Sequence, residues 1–75
     1  MENDRIKKIF GKNINKIRTK SGITIDKLSE LTGIRKAYLV KIENGSAKRI
    51  TFSIICNLYT VLNTTFEEMF RESDK

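Results

Sequence analysis

Between residues 33 and 49 the chain reads GIRKAYLVKIENGSAKR, a stretch whose side chains suit a polyanion. Arg35, Lys36, Lys41, Lys48 and Arg49 bring positive charge and hydrogen-bond donors without acceptors. Tyr38, Asn44 and Ser46 add neutral polar groups, and Ala37 and Val40 offer small apolar surfaces. Such a set can neutralise phosphates with release of counterions, donate to guanine O6 and N7, and pack against a thymine methyl. Catalysis asks for other residue types. The chain has no His, the usual general base near neutral pH, and its acids are scattered without an evident pair, so no enzymatic activity is expected. With no His and a single cysteine, Cys56, there is neither a Cys-His cluster for zinc nor an internal disulfide. No metal and no cofactor is expected, and Cys56 reads as a small buried hydrophobe.

A chain of 75 residues has room for one small core, so residues 1–75 are read as a single domain, ordered from about 4 to 71 with a frayed C-terminal tail. Lys and Arg outnumber Asp and Glu by 15 to 9, a formal net charge of +6. That surplus favours a polyanionic partner, although charge alone leaves open a basic domain with no anionic ligand. No apolar run reaches the roughly 18 residues that a membrane span needs. The opening MENDRIKKIF lacks the apolar stretch of a secretory signal. With one cysteine, a reducing cytoplasm is the expected compartment.

Proline is absent, and glycines at 11, 22, 33 and 45 supply the punctuation. Ile6, Ile9, Phe10, Ile14 and Ile17 recur at helical steps and predict a first helix from about residue 3 or 4 to 21, with Asn3 or Asp4 as N-cap. Gly11 weakens that helix by up to about 1 kcal/mol unless a neighbour packs close against it. Thr24 caps a short second helix ending by Thr32, with Asp26 in its first turn and Ile23 and Leu28 as a hydrophobic staple. A third helix runs from about Lys36 to Glu43 and stops at Asn44-Gly45. Its Leu39 and Ile42 point inward, and its Lys36, Ala37, Val40, Lys41 and Asn44 point outward. Thr51 caps a fourth helix carrying Phe52, Ile54, Ile55, Leu58, Val61 and Leu62; Thr65 caps a fifth carrying Phe66, Met69 and Phe70. The expected fold is all-α: five helices around one core.

Two short helices joined by a glycine turn, the second basic on its outer face, are how a helix-turn-helix presents a helix to the major groove. The segment GITIDKLSELTGIRKAYLVKIENG resembles the helix-turn-helix of the lambda-repressor/Cro-like, or XRE, family of bacterial and phage regulators. The ordered set Arg18, Gly22, Thr24, Leu28, Gly33, Ile34, Leu39, Ile42, Glu43 and Gly45 carries the likeness, which spans about four fifths of the chain. The resemblance implies base contacts from Lys36, Ala37, Tyr38 and Lys41. It implies backbone contacts from Thr24, Ile25, Arg35, Asn44, Ser46, Lys48 and Arg49, and a structural ion pair between Arg18 and Glu43.

Some positions depart from the family pattern. Ile25 stands where Gln is common, so only the backbone N–H groups of the second helix remain to hold a phosphate. Arg35 stands where Ser, Thr or Asp usually caps. Ser29 and Thr32 stand at commonly apolar or Ala positions, and the loop after Gly45 is one residue longer than usual.

The function expected is sequence-specific binding of double-stranded DNA as a transcriptional regulator, with no small-molecule ligand and no membrane partner. Reading a useful length of DNA requires two half-sites, so a homodimer on a pseudo-palindromic operator is expected, with Phe66, Met69 and Phe70, which helical spacing makes core or interface, at its interface. Phage Cro-type repressors and restriction–modification controller proteins share this small size. The alternative is a protein-interaction module, such as an antitoxin or adaptor, in which DNA binding is secondary. A basic amphipathic peptide acting on membranes ranks last, because the apolar stripes are used by the core.

Overall fold

Five α-helices make up the regular structure of residues 2–72, the part of the chain that the computed structural model describes. They are α1 (Glu2–Lys20), α2 (Ile25–Thr32), α3 (Lys36–Asn44), α4 (Phe52–Leu62) and α5 (Phe66–Phe70), an all-α fold with no strand among the described residues. The expected frayed tail falls from residue 73 onward outside the described residues. No helix among the described residues is long and apolar enough to cross a membrane.

Local chemistry sets the helix boundaries. The hydroxyls of Thr24, Thr51 and Thr65 accept from the backbone N–H three residues on, at 3.0, 3.2 and 3.1 Å. Each satisfies a donor that the helix leaves free. At the end of α1 the Ile23 N–H donates to the Arg18 carbonyl and the Gly22 N–H to the Thr19 carbonyl, the paired closure that a left-handed residue permits. Gly22 provides it with φ of 75°. The start of α1 differs from expectation: the helix begins at Glu2, so Asn3 and Asp4 lie within its first turn instead of capping it. An acid there still complements the macrodipole.

The core is filled by Phe10 and Ile14 of α1, Leu28 of α2, Leu39 and Ile42 of α3, Leu58 and Leu62 of α4, and Met69 of α5. Helix α1 packs mainly on α3 and α5, and α2 on α3 and α4. Gly11 makes the first of these contacts possible. A β-carbon there would stand 2.0 Å from the Ile42 carbonyl oxygen and 3.0 Å from that of Glu43. Two residues on in α1, the buried Asn13 side chain donates to the carbonyls of Met69 and Arg71, at 2.9 and 2.8 Å, and ties the end of α5 to α1. Phe52, one of the apolar residues that α4 carries, stays outside the core: it is 69 % exposed at the start of the helix. Cys56 is half-buried, not fully enclosed.

Candidate nucleic-acid interface

The turn between α2 and α3 is held by side chains that the sequence places at unusual positions. The Ser29 hydroxyl donates to the Ile34 carbonyl at 2.6 Å, and the Thr32 hydroxyl accepts from the Ile34 N–H at 3.1 Å while donating to the Leu28 carbonyl. Asn57 of α4 donates to the Thr32 carbonyl at 2.8 Å. The left-handed Gly33 closes α2 with its N–H on the Ser29 carbonyl. These bonds fix how α3 leaves the turn, and the buried Leu39 and Ile42 fix its rotation.

With that face inward, α3 turns Lys36, Ala37, Val40, Lys41 and Asn44 to solvent. Tyr38 is half-buried and leans on the core, so its ring edges the outward face instead of standing on it. Arg35 precedes α3 with its side chain exposed and makes no side-chain cap, leaving the first-turn N–H groups of α3 without a side-chain acceptor. On one side of α3 lies the N-terminus of α2. Thr24 is exposed there and spends its acceptor on the Lys27 N–H, and the Ile25 side chain packs toward the core. Beyond the other end of α3 the loop presents Ser46, Lys48 and Arg49 to solvent, with buried Ala47 as its anchor. Lys7 of α1 donates to the Lys48 carbonyl at 2.6 Å and helps to hold that loop.

Arg18 and Glu43 lock α1 to α3 behind this face. The Arg18 Nε donates to Glu43 Oε2 at 2.7 Å and its Nη2 to Oε1 at 3.1 Å, while Nη1 reaches the Ile23 carbonyl at 2.9 Å. Asn15 adds a bond to Glu43 Oε1 at 2.8 Å, a partner that the sequence does not announce. Only 14 % of the Arg18 side chain and 7 % of the Glu43 side chain are exposed. The hydrogen bond to Glu43 raises the Arg18 guanidinium above its ordinary pKa, against the opposing effect of burial.

The three residues expected at a dimer interface separate. Met69 is fully buried and fills the core, one of the two places its helical spacing allows, so it has no surface to offer a partner and its interface assignment is corrected. Phe70 stacks one face on Phe10 with centroids 5.1 Å apart and stays 37 % exposed. Phe66 is 43 % exposed and meets Tyr59 and Phe52 edge to face, with centroids 5.1 and 6.4 Å away. Phe52 and Tyr59 were not expected on this surface, yet their seven-residue separation on one helix is the signal that would have found them.

Residues 11–67 match the family model described as a helix-turn-helix domain. The chain belongs to that family. This helix-turn-helix chain is also similar to the restriction-modification controller protein C.AhdI from Aeromonas hydrophila, whose crystal structure superposes with a TM-score of 0.78 at 26 % identity. The alignment covers 85 % of this chain and 96 % of that one. No curated protein sequence matches significantly. Fold and family together are those of an XRE-like, DNA-binding regulator of transcription, with α2 and α3 as the helix-turn-helix.

Proposed function

We propose that the chain binds a pseudo-palindromic operator in double-stranded DNA as a homodimer in the cytoplasm and so regulates transcription. Each protomer lays α3 in the major groove. Lys36, Ala37 and Lys41 read base edges, with Tyr38 at the margin. The backbone N–H groups at Thr24 and Ile25, together with Arg35, Asn44, Ser46, Lys48 and Arg49, hold phosphates on either side. The observation that carries this reading is the outward face of α3: a basic surface set by Leu39 and Ile42 and flanked by the α2 N-terminus and the loop of Lys48 and Arg49. The likeness to a restriction-modification controller protein supports a regulatory role.

The test separates base readers from phosphate holders. Replacing Lys36 or Lys41 by Ala should weaken binding to a site selected from a random duplex library, relative to a scrambled duplex, by about 1 to 3 kcal/mol. Replacing Lys48 or Arg49 by Ala should weaken both duplexes alike and lower the salt slope by about 1 for every phosphate that is no longer neutralised. Identical behaviour of all four variants would reduce the basic residues to a diffuse electrostatic patch.

A further inference from the structure

Lys36 is not a free ammonium. Its Nζ lies 2.9 Å from an Asp26 carboxylate oxygen, joining the first residue of α3 to the first turn of α2. The other paired acid on α2, Glu30, is 3.7 Å from Lys27 within the same helix. The side chains of Lys36 and Asp26 remain 56 % and 73 % exposed. Exposed pairs of this kind contribute little to stability; a first-turn acid complements the α2 macrodipole, yet this one stands beside the helix N-terminus proposed to meet a phosphate.

We infer that Asp26 is a specificity-determining residue: it holds Lys36 for base reading and penalises binding wherever no matching base is present. This rests on α3 reading bases, as proposed above. An unpaired lysine is a point charge on a flexible stem, able to follow any nearby phosphate. Paired with Asp26 as an ion pair, Lys36 keeps donors that suit the O6 and N7 acceptors of a guanine. The carboxylate accepts only, so on DNA it is matched by a base amino group such as cytosine N4 and opposed by any phosphate. On a random sequence its repulsion is uncompensated. On the operator, Lys36 on guanine offsets it.

The experiment compares the Asp26→Asn chain with the native chain by library selection and by titration of selected and scrambled duplexes. A charge about 7 Å from a phosphate in water weakens binding about threefold. Asp26→Asn should therefore bind the scrambled duplex about three times more tightly. Its preference for the selected site should fall about tenfold, the order of one mismatched base pair. The relaxed position in each half-site should be the one that Lys36→Ala also relaxes. Affinities that rise in parallel, or base preferences that stay intact, would overturn the inference and leave Asp26 a repulsive surface charge. If Lys36→Ala relaxes no position, the base-reading role of α3 itself fails, whatever Asp26 does.

Discussion

Glu43 stands in the last turn of α3, where a carboxylate opposes the helix macrodipole, and it is tolerated because Arg18 and Asn15 surround it with donors. Both members of the ion pair are largely enclosed, so removing one strands the other. Arg18→Ala and Glu43→Ala should each destabilise the domain by about 3 kcal/mol, measured by denaturant melts. Breaking the exposed Lys27 and Glu30 pair should cost at most about 0.5 kcal/mol, and equal midpoints for the two kinds of variant would show that enclosure makes no difference. The pH dependence follows from the raised pKa of Arg18. A cation with a higher pKa folded than unfolded stabilises fully below its unfolded value and loses that only as pH rises through the folded one. The deficit of Arg18→Ala should therefore not vary through any ionisation of Arg18 between about pH 6 and pH 9, with the loss confined to strongly alkaline solution.

At the scale of elements, the crossing of α1 over α3 depends on one missing side chain. Gly11→Ala would gain about 1 kcal/mol of helix propensity. It would also drive a methyl into two backbone carbonyls of α3 that cannot swing aside. The clash should win, for a net loss of about 3 kcal/mol, because overpacking against backbone forces whole helices apart. Gly22→Ala meets no neighbour and should cost only about 1 kcal/mol for its left-handed backbone. The reverse order of melting midpoints would mean that α1 and α3 slide apart freely. Helix order, the three threonine caps and the inward Leu39 and Ile42 were legible in the sequence, because capping and 3.6-residue periodicity are local signals. The α3 face was legible for the same reason. What periodicity does not encode is which apolar stripe meets which neighbour. Phe52 therefore lies on the surface although it belongs to the apolar stripe of α4, Met69 lies in the core and not at an interface, and the partners of Gly11 and Lys36, which lie on other helices, were not visible.

For the whole molecule, one helix in one major groove reads only a few base pairs, and the +6 charge adds affinity without sequence preference. Specificity on the proposed operator needs a second copy, and the exposed rings of Phe52, Tyr59 and Phe66 form the apolar surface best suited to it. Aromatic side chains are enriched in interface cores, since they bury large area at small entropic cost. Phe52 is the most exposed of the three, so Phe52→Glu should leave the fold intact while placing a charge in the proposed dimer contact. Sedimentation of the native chain should then show a dimer that the variant lacks. On DNA, half-sites about 34 Å apart should be filled together by the native chain and singly by the variant. Without the second, intramolecular binding event, operator affinity should fall about 100-fold or more, while affinity for an isolated half-site stays unchanged. A native chain that sediments as a monomer at high concentration, both free and on operator DNA, would remove the dimer. A variant that still dimerises would move the interface away from the α4 and α5 aromatic face.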